Sequence, residues 1–171
     1  MMEYLTLNSM GMGELAARIF LSAFLGLALG IDREVKNKPI DFRVYMIIAV
    51  ASCLIGIISM EMPGAFPVED ERMIFDPTRV IQGVLVGIGF LGTGVIFQRT
   101  TRTEVIGTAT AATIWASAAI GLAIGFGFYA AALMGFVAVF LTLVVVGWVM
   151  TVLCARPDKL PKGCPDDDPA G

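Results

Sequence analysis

Apolar residues run along this chain in blocks of helix length separated by short polar stretches. The blocks predict five helices, about Leu15 to Ile31, Val44 to Met60, Val80 to Phe97, Val105 to Ile124 and Phe128 to Leu153. In a soluble domain each would carry a polar face at helical period. The third and fifth blocks are apolar all round, as in a helix that meets lipid on every side. From Val105 to Ala155, 51 consecutive residues contain no Asp, Glu, Lys or Arg, more than twice the roughly 20 that cross a hydrocarbon core. Two spans are expected there, broken at Gly125-Phe126-Gly127, where the glycines weaken the helix and permit a tight turn.

Composition agrees. Of 171 residues, 57% are hydrophobic and only 16% charged, and a mean hydropathy of +0.80 is beyond what a soluble surface tolerates. The fold class expected is an all-α integral membrane protein with five transmembrane helices. The first fourteen residues carry Glu3 and Glu14 but no Lys or Arg, so no secretory signal is expected and the first span stays in place. The expected organisation is an extracytoplasmic segment over 1–14, a transmembrane domain over 15–153 and a short cytoplasmic tail over 154–171.

The third block contains GIGFLGTG, Gly87 to Gly94, with the G-x-G-x-x-G spacing of a dinucleotide-binding turn. That chemistry needs a strand before the glycines and a helix opening after them. Here the motif lies mid-span, with no charge to meet a pyrophosphate. Glycines in a membrane helix instead let another backbone approach closely. Gly83, Gly87, Gly89, Gly92 and Gly94 form one candidate packing face, and Ser22, Gly26 and Gly30, at spacing four, form another in the first span. These faces are expected to meet each other or a second copy, a homodimer being favoured.

Five spans put the two ends on opposite sides. Arg33, Lys36, Lys38, Arg43, Arg99, Arg102, Arg156, Lys159 and Lys162 fall on one side, against Arg18, Arg72 and Arg79 on the other. The positive-inside rule then places the amino terminus outside and the tail in the cytoplasm. The outer side also gathers Glu3, Glu14, Glu61, Glu69, Asp70, Glu71 and Asp76. Such a loop either attracts divalent cations or is simply kept in water by its charge.

Other chemistry is poorly supported. The cysteines, Cys53, Cys154 and Cys164, form no C-x-x-C pair and there is no His, so zinc, haem and iron–sulfur ligation lack ligands and no cofactor is expected. The commonest general base is missing, as are the nucleophile and metalloprotease motifs, and no enzyme is expected. No basic patch with interleaved aromatics suggests nucleic acid.

Four polar patches need explanation. Arg18 either snorkels to the boundary or pairs with Glu14 or Asp76. Asp76-Pro77-Thr78-Arg79 has the form of a helix cap with Pro at the first position, which leaves Arg79 and Gln82 unexplained. At the end of the first span, Asp32 and Glu34 oppose the helix dipole. They are offset by Lys36 and Lys38 at spacing four, or they join Arg33, Arg43 and Arg99 in a charged vestibule. In the fourth span Thr110, Thr113 and Ser117 share a face, with Trp115 to one side, for backbone bonding, helix packing or a polar pathway.

The stretches GLALGIDRE at Gly26 to Glu34, DPTRVIQGVLVGIGFLGTGVIF at Asp76 to Phe97 and GTATAATIWASAAIG at Gly107 to Gly121 resemble the MgtC/SapB family of bacterial inner-membrane proteins, over about residues 15 to 150. The resemblance implies a five-span module with a periplasmic amino terminus, a link to adaptation to low magnesium and to survival of pathogens inside host cells, and regulatory action on other membrane proteins. It carries over Asp32, Arg33, Glu34, Arg43, Asp76, Arg79, Thr110 and Trp115 as the family's polar motif residues. Three features depart from the pattern. Asp32 stands where Glu is usual, Asp41-Phe42-Arg43-Val44 replaces a Gly-Leu-Arg-Thr-like run, and no C-terminal soluble domain is expected, only a short tail with Pro165-Asp166-Asp167-Asp168-Pro169 that is expected to be disordered.

Two functions from different classes fit these residues. One is a non-enzymatic membrane module that tunes ion homeostasis by binding other membrane proteins. The other is a cation (Mg2+ or H+) transporter or channel, with Asp32, Glu34, Asp76 and the hydroxyl stripe along its path. An intramembrane enzyme would need a nucleophile and base at matching depth.

Overall fold

The computed structural model describes residues 10–36, 40–65, 76–98 and 105–154. They form five helices, α1 (Met12–Val35), α2 (Phe42–Ala65), α3 (Pro77–Val95), α4 (Thr108–Gly125) and α5 (Tyr129–Cys154), and two strands of two residues each, β1 (Phe97–Gln98) and β2 (Val105–Ile106). All five helices are long and apolar enough to cross a membrane.

α4 lies at the centre and packs against the other four helices. Of its apolar window 61% is buried inside the protein, against 6% each for α3 and α5. The two segments that are apolar all round are thus the peripheral helices, whose exposed faces suit lipid. The central helix can be rich in Ala, Gly, Ser and Thr because small residues let backbones approach closely when lipid supplies no hydrophobic drive for association.

Side-chain contacts fix the helix directions. Gly26 and Gly30 of α1 face Tyr45 and Phe42 of α2 in reverse order, so α1 and α2 are antiparallel. Ser117, Gly121 and Gly125 of α4 meet Tyr45, Ala49 and Cys53 of α2 in the same order, so α2 and α4 run parallel. Arg18 reaches Gly125 and Arg33 reaches Thr113, so α1 and α4 are antiparallel. The bundle therefore has an Arg18 end and an Arg33 end.

Local chemistry sets the helix limits. Asp41 accepts from the Arg43 amide at 2.8 Å and caps α2. Asp76 accepts from the Thr78 amide at 2.9 Å, with Pro77 in the first turn of α3. α4 closes with the Gly127 amide on Ile124 O (2.9 Å) and the Phe128 amide on Ala123 O (2.8 Å), with Gly127 at φ +84°. That left-handed residue ends the helix in a Schellman turn, and the expected break at Gly125 to Gly127 is where α4 gives way to α5.

The helix limits depart from the sequence expectation at several places; α2 runs past Met60 to Ala65, and Phe97, expected in the third span, lies in β1 after α3 ends at Val95. α1 continues through the charged turn to Val35, because hydropathy marks only the apolar part of a helix that its ion pairs extend. Val105 and Ile106, expected to open the fourth span, instead pair antiparallel with Gln98 and Phe97. Both are β-branched and suit a ladder, and Gly107, at φ +92°, then turns the chain into α4. Residues 1–9 of the proposed outer segment, the acidic loop over 66–75 and the tail over 155–171 lie outside the described residues.

Candidate functional site

The polar side chains of the bundle gather in a seam where α1, α2 and α4 meet. Spacing of four on α4 puts Thr113, Ser117, Gly121 and Gly125 in one row. A Cβ on Gly121 would collide with the carbonyl oxygen of Ala49, and one on Gly125 with that of Cys53. Across from them, Gly56 of α2 would carry a Cβ only 3.1 Å from Gly125 Cα. Backbone contact at this range exists only because these positions have no side chain.

Two arginines of α1 hold the ends of this row. At one end Arg33, buried at 4% exposure, donates through Nη2 to Thr113 Oγ1 at 2.9 Å and more distantly to Ala109 O at 3.5 Å. The Thr113 hydroxyl itself donates a hydrogen bond to Ala109 O at 2.7 Å, so toward Arg33 it is held as an acceptor. At the other end Arg18 Nη1 donates to Gly125 O at 2.7 Å and Nη2 pairs with Glu14 at 2.5 Å, while the guanidinium lies 5.5 Å from the Tyr129 ring centroid. Gly125 O is one of the carbonyls that a helix end leaves without an intrahelical partner, and a cation suits that end of the dipole. Of the two accounts of Arg18, the structure has the pair with Glu14.

Ser117 Oγ donates to Tyr45 O at 2.8 Å and joins α4 to α2. Tyr45 is fully buried beside Ile48, Ile114 and Ala118. Thr110 is buried on the same helix, whereas Trp115 is 48% exposed on the other side. The first-span motif also lies inside the bundle. Ser22 is buried and bonds to Ile19 O of its own helix, Gly26 would carry a Cβ 2.8 Å from Tyr45 O, and Gly30 one 2.8 Å from Phe42. Its partner is α2 and not the glycines of α3.

The five α3 glycines do not share one face: at about 100° per residue Gly83, Gly87 and Gly94 lie together on an exposed side, whereas Gly92 is buried on the side that meets α4. Gly83, Gly87, Gly89 and Gly94 have nothing within 4 Å of a hypothetical Cβ, and Gly92 has only Ala111, at 3.6 Å. The G-x-G-x-x-G glycines sit inside α3, with helix on both sides of them.

The carboxylates disperse. Asp32 pairs with Lys36 at 2.8 Å, and Lys36 also bonds to Leu143 O of α5 at 3.0 Å. Glu34 and Arg43 are exposed, and Arg43 stays near Asp41 (3.7 Å) and its neighbour Phe42. The partner expected for Glu34, Lys38, and the vestibule candidate Arg99 lie outside the described residues. Asp76 opens α3 at the Arg18 end, with the exposed Arg79 at 3.8 Å. Hydrogen bonds from the Thr78 hydroxyl and amide hold its carboxyl below the usual aspartate range, with a smaller contribution from Arg79.

Sequence reasoning missed Tyr45, Gly56, Gly121 and the carbonyl bond of Arg18. The uninterrupted spacing of four from Thr113 to Gly125 was the available signal for the α4 row.

Five apolar helices, a small-residue seam and lipid-suited peripheral faces define a multi-pass α-helical membrane protein. The sequence matches the MgtC family over residues 19–152, and the chain belongs to that family. It is 32% identical over 147 residues to Protein SapB of Bacillus subtilis, covering 86% of this chain and 62% of SapB. It is 34% identical over 130 residues to the putative magnesium transporter YhiD of Escherichia coli K12, covering 76% and 59%. With Protein MgtC of Brucella abortus it shares 35% identity over 103 residues, covering 60% and 39%. The match thus spans under two-thirds of each of these three relatives. No solved structure matches the chain.

Proposed function

We propose that this membrane protein acts in magnesium or ion homeostasis as a non-enzymatic module that binds and modulates other membrane proteins, as a homo-oligomer in the bacterial inner membrane with its amino terminus outside. The observation that carries this is the composition of the seam. Guanidiniums close its two ends and hydroxyls engaged in helix packing lie between them, while Asp32, Glu34 and Asp76 lie on Lys36, at an exposed surface and on a helix cap at the opposite end from Arg33. A cation path needs anionic or carbonyl ligands converging at depth, and Arg33 repels a cation at one mouth of the seam. The open face of α3 with Gly83, Gly87 and Gly94 supports docking of another helix.

Likeness to the putative magnesium transporter YhiD favours a second reading, cation transport. Complementation separates them. In cells lacking the gene and starved of magnesium, Asp32→Asn and Asp76→Asn are expected to restore growth like the wild type, while Gly87→Leu, on the open face, is not. Failure of the two Asn variants together with rescue by Gly87→Leu favours transport.

A further inference from the structure

At the Arg33 end of the seam two buried polar groups of the described residues lack a hydrogen-bond partner. Arg33 Nε is buried with no partner, and so is the hydroxyl of Tyr45, which is fully buried. The charge of Arg33 lies within electrostatic reach of that hydroxyl. Thr113 cannot serve as the missing acceptor for both, because its hydroxyl already accepts from Nη2 and donates to Ala109 O. Among the described residues no carboxylate lies within ion-pairing distance of Arg33, since Asp32 is taken by Lys36 and Asp41 stays near Arg43.

A buried cation flanked by unused donors is complementary to one kind of group, an acceptor that carries negative charge. The surroundings carry both signs, since Asp32, Glu34 and Asp41 lie at this end of the bundle together with the positive ends of the α2 and α4 dipoles. α4 begins at Thr108, so its first-turn amides, at the positive end of the helix dipole, lie at the same end of the bundle. Arg33 is two residues from the end of α1, Tyr45 three from the start of α2 and Thr113 five from the start of α4. All three lie within about 8 Å of a helix terminus, the depth at which a spanning bundle meets the headgroup layer.

We propose that Arg33 and Tyr45, with Thr113 holding the guanidinium in place, bind an oxyanion of the phosphate class, supplied either by the headgroup of an anionic phospholipid or by free phosphate. Arg33 supplies the charge and the Nε donor, and Tyr45 supplies a second donor from α2. Such binding does not depend on the partner-docking role.

The test uses the full chain purified in a neutral detergent. Thermal unfolding, followed by the fluorescence of Trp115 and Trp148, is measured against inorganic phosphate at constant ionic strength made up with chloride. Native mass spectrometry measures retention of phosphatidylglycerol against phosphatidylcholine. The expected result is a saturable rise in Tm with phosphate, preferential retention of phosphatidylglycerol, or both. Response in the first arm alone assigns the source to the free anion, and in the second alone to the lipid. Tyr45→Phe, which keeps the ring that fills the core, weakens binding about tenfold, the loss expected for one hydrogen bond to a charged group. Arg33→Gln abolishes binding, and Arg33→Lys, which keeps the charge without Nε, stands in for it if Arg33→Gln does not fold. Absence of a response in both arms with the wild type, or binding by Tyr45→Phe equal to the wild type, overturns the proposal.

Discussion

Arg33 donates to Thr113 across the α1–α4 contact at 2.9 Å, from a position where the guanidinium is almost fully buried. Thr113→Val keeps the shape of the side chain and removes the acceptor, leaving a buried charged donor with only the distant carbonyl of Ala109. A loss of about 1–3 kcal/mol is expected, measured by reversible unfolding in mixed detergent. Thr142→Val, whose hydroxyl bonds only to its own helix at an exposed site, is the control and should change stability little.

The glycines of α4 and α3 should answer differently to the same substitution. Gly121→Ala places a methyl group against the backbone of Ala49, which has no free side-chain end to yield. A loss of about 3 kcal/mol or more is expected, at the upper end of overpacking costs. Gly87→Leu meets nothing within the protein and should leave protomer folding unchanged, so any effect in analytical ultracentrifugation reports on association alone. Equal destabilisation by the two variants would contradict the packing described.

The α3 cap should respond to acid. The Asp76 carboxyl is held low by the Thr78 hydroxyl and amide, so its contribution to the helix start is present above the unfolded-state value, about 3.9. It is lost as pH falls through the lower folded-state value. The Thr78 amide resonance in NMR should therefore titrate with a midpoint below about 3.9. Asp76→Asn, which still caps, should remove that titration while keeping the helix start, and Asp76→Ala should fray it.

At the Arg18 end the carbonyl bond and the ion pair can be separated. Glu14 is exposed, so Glu14→Gln should cost less than about 1 kcal/mol. Arg18→Gln also removes the charged donor from Gly125 O. It should cost clearly more and speed hydrogen exchange at the α4–α5 turn. Equal effects would mean that the arginine acts only through Glu14.

The number of spans, the break at Gly125 to Gly127 and the cap at Asp76 were legible in the sequence, because length, glycine and capping chemistry act locally. Partner choice was not. Ser22, Gly26 and Gly30 are visible as a packing face, but a face does not say whether α2, α3 or a second copy covers it. Arg33, placed among vestibule candidates by its charged neighbours, turns inward, because its position on α1 points it at α4, whereas Asp32 and Glu34 lie around the helix from it. Tyr45 carries no signal of its own in an apolar run, and its importance appears only when three helices close around it.

On the proposed function, the polar groups between these helices hold the bundle together and do not conduct. Magnesium and proton flux into liposomes containing the purified wild-type protein measures this directly, with Asp32→Asn and Asp76→Asn in parallel. Flux no greater than in empty liposomes is expected for all three proteins. Robust wild-type flux that disappears in the two variants would contradict the proposed function.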